Sequence, residues 1–160
     1  MTTEITKQDL ADARKIWGAA LIAISEAFEE HGIDTAMRVA GDALDSAYGY
    51  ELGQVLFKPT LANGDQSFRT TREGALAYFV GHSDQYPSDA GFGIKGWRSV
   101  DSETAASFIQ GDIAIWMGRV TCTDKHGGVT RLDKSWGYKR DEAGILRIVL
   151  HHSSLPYQPD

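Results

Sequence analysis

Apolar residues recur at helical spacing through the first third of the chain. Ile16, Ala20, Ala23 and Ala27 form one row, with Leu21, Ile24 and Phe28 beside it, the i, i+3, i+4 pattern of an amphipathic helix. Thr6 followed by Asp9 has the form of a capping box at its start. His31-Gly32 closes it, because glycine adopts the left-handed conformation at little cost. Asp34 is then the expected cap of a second helix running to about Ala47, with Met37, Ala40 and Leu44 as its apolar face.

The period changes after Ala47. Gly49 and Gly53 break the helix, and Val55-Leu56-Phe57 reads as a short strand ending at Pro59. "TTREGALAYFVG" is helical again, capped by Thr70 or Thr71 and ended by Gly81. Four strand segments follow: "GFGIKGWRSVDSET", "ASFIQGDIAIWMGRVTCTD", "VTRLDKSWGYKRD" and "GILRIVLHHSS". The turn-rich "DKHGG" and "RDEAG" between the last three suit hairpins. Helices before a run of strands argue an α+β fold. Strands and helices do not alternate, which disfavours a TIM barrel or a Rossmann fold.

Composition narrows the class. The 160 residues suit one domain, spanning 1–160. A formal net charge of −6 and a pI of about 5.3 disfavour nucleic acid and anionic membranes as partners. Cys122 is the single cysteine, so neither an intramolecular disulfide nor a Cys-based zinc site is possible within the chain. The polar start "MTTEITKQDL" carries no signal-peptide apolar region, and "IWGAALIAI" is too short to span a bilayer. A cytoplasmic location is expected.

Three stretches carry candidate chemistry. The closing strand ends on His151, His152, Ser153 and Ser154. Side chains alternate faces along a strand. Arg147, Val149, His151 and Ser153 therefore point one way, and Leu146, Ile148, Leu150, His152 and Ser154 the other. Either the polar groups sit at an exposed strand end, or one set lines a cavity. Pro59 holds the Thr60 hydroxyl on a rigid turn. Tyr78 shares a helix face with Gly74, four residues away, which leaves the phenol space. Taken alone, Thr60 is a turn residue and Tyr78 a core tyrosine. The histidines lack metal-ligand spacing, and adjacent His151 and His152 face opposite ways.

Together, "YGYELGQVLFKPTLA", "FRTTREGALAYFVG", "GFGIKGW", "DIAIWMG" and "DKSWGYKRDEAGILRIVLHHSSLPY" resemble the iota-class carbonic anhydrases. The likeness covers roughly residues 48–157, and "FKPT" with "HHSS" is its most diagnostic pair. The resemblance implies a nuclear-transport-factor-2-like (NTF2-like) cone, the fold of the calcium/calmodulin-dependent kinase II association domains. In it, N-terminal helices pack on a curved, mostly antiparallel sheet enclosing a pocket. It implies reversible hydration of carbon dioxide to bicarbonate and a proton, with no cofactor, or with zinc or manganese on a histidine as the alternative. It also implies that the hydroxyls of Thr60, Tyr78 and Ser153 contact bicarbonate, and it places His151 in the same motif. By analogy, a homodimer forms through an open sheet face.

Without a metal, another group must take the proton from water. His151 is a candidate acceptor or relay, with an unperturbed pKa near 6.5. A Tyr78 phenolate is less suited, with a reference pKa near 10. The competing readings are a non-catalytic binding or oligomerisation module and an isomerase or dehydratase on the same cone. The last would place an acid–base pair with a carboxylate in the pocket, and no acidic residue stands beside Tyr78 or His151 in the sequence.

Overall fold

The structure, a computed structural model, describes residues 4–160. Three helices, α1 (Lys7–His31), α2 (Ile33–Ala47) and α3 (Arg72–Val80), accompany five strands. These are β1 (Leu56–Lys58), β2 (Trp97–Gln110), β3 (Ile113–Asp124), β4 (Val129–Arg140) and β5 (Leu146–Ser154). They form one sheet in the order β1-β5-β4-β3-β2. All neighbours are antiparallel except β1, which runs parallel to β5. The α+β expectation holds, with the helices packed against one face of the sheet.

The helix start at Thr6 is as predicted. Its hydroxyl accepts from the Asp9 N–H at 3.1 Å, and the Asp9 carboxylate accepts from the Thr6 N–H at 2.9 Å. Such a cap contributes about 1 kcal/mol. Two expectations shift. Gly32, at φ 91°, ends α1 and also opens α2, so Asp34 lies inside the first turn and makes no capping bond. A one-residue connection leaves no separate cap position; Asp34 still complements the helix dipole there. The buried stripe of α1 is Leu10, Trp17, Leu21 and Ile24, whereas Ile16 is 60% exposed. Trp17 sets the rotation of the helix, and Ile16 sits about 100° away around the axis.

The β2–β3 hairpin is longer than predicted. It turns at Gly111-Asp112, where Gly111 takes φ 61°, and not at Ala105. Near Ala105 there is instead a register shift, with Thr104 paired to Gly118 and Ala106 to Met117. The strand bends there, as bulges make strands do. A Cβ at Gly118 would lie 2.2 Å from the Glu103 carbonyl and 2.6 Å from the Trp116 ring.

A second bulge governs the chemistry. Tyr138 pairs with Ile148 but Gly137 pairs with Leu150, which leaves Val149 unpaired. Strict alternation would put Ile148 and His151 on opposite faces. The extra residue brings both to the inner face, where Ile148, His151 and Ser153 are buried while His152 is exposed. The two side-chain sets predicted for this strand therefore do not run unbroken through it. The inner face is otherwise aromatic: Trp17 of α1 meets Trp136 edge-on at 5.2 Å, and Trp116 lies 5.5 Å from Trp136.

Candidate active site

Parallel pairing of β1 with β5 sets Phe57 beside His151 and Lys58 beside His152. The chain continues through Pro59, so Thr60 arrives at the level of Ser153. Their hydroxyl oxygens are 2.6 Å apart. Tyr78 reaches the same place from α3, where its hydroxyl accepts from the Leu61 N–H at 3.1 Å. The Thr71 hydroxyl caps the start of α3 by accepting from the Gly74 N–H at 3.2 Å. Three hydroxyls from three separate segments thus converge.

The role given to Gly74 is different. A Cβ there would meet the Tyr86 hydroxyl at 2.9 Å and Arg69 Cδ at 3.2 Å. The space serves Arg69, not the Tyr78 phenol. Arg69 makes a buried two-pronged pair with Asp89, at 2.7 and 2.8 Å, and lies 5.9 Å from the Tyr78 ring centre. Burial pushes Tyr78 up to about 12, partly offset by hydrogen bonds with the Leu61 N–H and Thr60. Tyr78 is therefore a neutral phenol near pH 7.

His151 is enclosed. Its ring stacks on Phe57 at 4.6 Å and packs against Trp136 at 5.0 Å and Trp17 at 5.7 Å. Nδ1 is 2.8 Å from the Tyr48 hydroxyl, which also accepts from Trp17 Nε1 at 3.1 Å. Nε2 is 2.8 Å from Lys134 Nζ. Burial, with Lys134 and His152 adding to it, holds the ring well below its ordinary pKa of 6.5. His151 is a neutral imidazole with both nitrogens engaged.

Lys134 was not singled out from the sequence. It stands directly across from Ser153 in the β4–β5 ladder, and Trp136 stands across from His151. Lys134 Nζ donates to Ser153 Oγ at 3.0 Å and lies 4.7 Å from the Trp17 ring centre. No carboxylate among the described residues pairs with it. Burial pulls it down to about 7, against a raising influence from Cys122 and a further lowering one from Lys58. Lys58 Nζ donates to the Ser153 carbonyl at 3.0 Å. A signal did exist in the sequence. Leu132, Lys134, Trp136 and Tyr138 alternate along β4, and all four are buried. A lysine within an otherwise apolar inward row is costly unless it has a use.

The arrangement suits a small, uncharged molecule that becomes an anion. Hydroxyls supply donors, aromatic walls exclude water, and two amines flank Ser153. No cluster of three or more histidine, cysteine, aspartate or glutamate residues able to hold a metal ion occurs among the described residues.

A family model described as metal-independent carbonic anhydrase matches residues 8–155. A metal-independent carbonic anhydrase of Nostoc sp. is 50% identical over 154 residues, which cover 96% of this chain and 75% of that protein. The crystal structure of an iota-carbonic anhydrase from a cyanobacterium, complexed with bicarbonate, matches with a TM-score of 0.97 at 48% identity, covering 99% of this chain and 97% of that one. A calcium/calmodulin-dependent protein kinase II association domain from Xanthomonas campestris shares the fold, with a TM-score of 0.60 at 19% identity, covering 99% of this chain and 97% of that one. An NTF2-like family protein from Streptomyces avermitilis also does, with a TM-score of 0.57 at 11% identity, covering 94% of this chain and 96% of that one.

Proposed function

The chain belongs to the metal-independent carbonic anhydrases, and we propose that its reaction, the reversible hydration of carbon dioxide to bicarbonate and a proton, runs at the hydroxyls of Thr60, Tyr78 and Ser153. The observation that carries this placement is their convergence, with Thr60 and Ser153 in direct contact at 2.6 Å. Carbon dioxide and a water molecule take up the bonds that the hydroxyls now make with each other. Holding the two reactants together removes much of the entropic cost of their encounter. As the water oxygen attacks carbon, negative charge develops on the former carbon dioxide oxygens. The hydroxyls donate to those oxygens as an oxyanion hole does, and the positive charge of Lys58, which donates to the Ser153 carbonyl, favours the anionic product.

No metal is assigned a part, in keeping with the family's description. His151 lies one hydrogen bond beyond the hydroxyl cluster, through Lys134, and supports the cluster from behind. The test is removal of each hydroxyl with its shape kept: Thr60→Val, Tyr78→Phe and Ser153→Ala. Each is expected to lower kcat roughly a hundredfold, the usual effect of deleting one oxyanion donor, with little change in melting temperature. Full activity in all three variants would move the chemistry elsewhere.

The outer face of the sheet supports a homodimer. Leu56, Leu150, Gly137, Ile115 and Phe108 pair in sequence across all five strands. They form a continuous apolar row, in which Leu56 and Phe108 are each 63% exposed. An exposed apolar band of this extent is characteristic of an association surface. The free, buried thiol of Cys122 suits a reducing compartment such as the cytoplasm.

A further inference from the structure

The hydration reaction releases a proton, and a site without a metal needs a group to receive it. Four ionisable groups adjoin the hydroxyl cluster, of which Lys58 reaches the Ser153 carbonyl and not a hydroxyl. Tyr78 is a neutral phenol that holds its proton too strongly to pass through phenolate at neutral pH. His151 is enclosed by aromatic rings and touches none of the three hydroxyls; both its nitrogens are committed, to Tyr48 and to Lys134. Of the basic groups, Lys134 bonds directly to a substrate-facing hydroxyl, that of Ser153.

We propose that Lys134 acts as a neutral amine and takes the proton of the attacking water, with the Ser153 hydroxyl as the bridge. This rests on the placement of the reaction at Thr60, Tyr78 and Ser153. In the neutral amine, one N–H of Lys134 donates to His151 Nε2 and the nitrogen lone pair accepts from the Ser153 hydroxyl, the reverse of the bond that the ammonium donates to Ser153 Oγ. As the water oxygen forms its bond to carbon, one carbon–oxygen π pair of carbon dioxide moves onto oxygen. The water proton passes to Ser153 Oγ, and the proton that Ser153 carried passes to Lys134 Nζ. The products are bicarbonate and an ammonium, and the atoms and charges balance against carbon dioxide, water and the amine. The ammonium's three hydrogens then meet His151 Nε2, Ser153 Oγ and the face of Trp17, 4.7 Å away. Loss of that proton to solvent completes the cycle. In the dehydration direction the ammonium returns it to the departing hydroxyl of bicarbonate.

The surroundings keep this amine poised. Lys134 is buried on two tryptophans without a carboxylate, and burial pulls it down to about 7. The titratable and charged groups that act on it are Lys58 from β1, Cys122 from β3 and His151 from β5, with Tyr48 behind His151. Lys58 holds its proton affinity down and Cys122 raises it. In this scheme His151 is a positioning residue. With Tyr48 and Trp17 behind it, it fixes the direction of one N–H and so aims the lone pair at Ser153.

The experiment is the pH profile of kcat for carbon dioxide hydration, in the wild type and in Lys134→Met, together with bicarbonate binding followed by carbon-13 NMR. The wild-type kcat is expected to rise to a plateau with an apparent pKa near 7. Lys134→Met is expected to lose on the order of a hundredfold in kcat, the usual contribution of a positioned base, to lose that inflection, and still to bind bicarbonate. Lys134→Ala is expected to regain activity with added methylamine. A wild-type profile in Lys134→Met would overturn the proposal and leave the hydroxyl site standing. Retained activity in Ser153→Ala and Thr60→Val would instead remove the site on which it rests. If Lys134→Met fails to fold, nitrogen-15 NMR of the wild-type lysine decides: titration of Nζ near 7 supports the proposal, and titration near the ordinary 10.5 overturns it.

Discussion

Thr60 Oγ1 and Ser153 Oγ lie 2.6 Å apart although 93 residues separate them in the chain. The contact follows from one feature of the sheet, the parallel pairing of a three-residue strand with the last strand. It also makes the two hydroxyls one unit. Removing either leaves the other without its partner. The Thr60→Val and Ser153→Ala effects on kcat should therefore not add, because groups in direct contact couple. The double variant is expected to fall close to the worse of the two single variants. A full double-mutant cycle on kcat checks this, and strict additivity would mean that the two act separately.

Stability should also report the buried amine. Lys134 is held at about 7 in the folded chain, against an ordinary 10.5. Between these values the unfolded chain holds a proton that the folded chain does not, so folding stability rises with pH across the window. The slope is at most about 1.4 kcal/mol per pH unit. Cys122 and the buried tyrosines Tyr48, Tyr50 and Tyr138 are raised and act in the opposite sense at higher pH, so pH 7 to 9 is the useful range. Wild-type stability relative to Lys134→Met should climb across that range. A constant difference would show that Lys134 keeps its proton when buried.

The bend of the β2–β3 hairpin depends on Gly118. A methyl group there has no room beside the Glu103 carbonyl and the Trp116 ring. Gly118→Ala is expected to cost about 3 kcal/mol, the upper end for forced overpacking, measured by chemical denaturation. An unchanged midpoint would mean that the two strands part easily at the bulge.

The apolar row on the outer face offers a separate test. Ile115 lies between Gly137 and Phe108 in this row and is 45% exposed. Ile115→Lys places a charge there and should give a monomer in sedimentation analysis, whereas the wild type is expected to sediment as a dimer. A wild type that is monomeric at all concentrations would remove the proposed association.

Much of this was legible in the chain. Helices α1 and α3 carried caps and glycine stops, and the turn sequences after Asp124 and Asp141 placed two hairpins correctly. The order of elements gave the fold class, and the hydroxyls were singled out through the family resemblance that "FKPT" and "HHSS" carry. What escaped was whatever depends on register. The bulge at Val149 has no glycine or proline on its own strand to mark it, and it decides that Ile148 and His151 share a face. The β2–β3 turn was misplaced because Gly111 stands in a segment that is otherwise uniformly strand-like. Lys134 escaped because its inward direction is visible only once Leu132, Trp136 and Tyr138 are read as one row. The environment of His151 was likewise beyond the sequence, since Phe57, Trp17 and Tyr48 come from distant segments to surround it.

The most direct test is stopped-flow carbon dioxide hydration by protein freed of metal with a chelator, with metal content measured on the same sample and Ser153→Ala run alongside. The account predicts undiminished activity in the metal-free wild type and a loss of roughly a hundredfold in Ser153→Ala. Activity that vanishes on chelation and returns only with added zinc or manganese would contradict it.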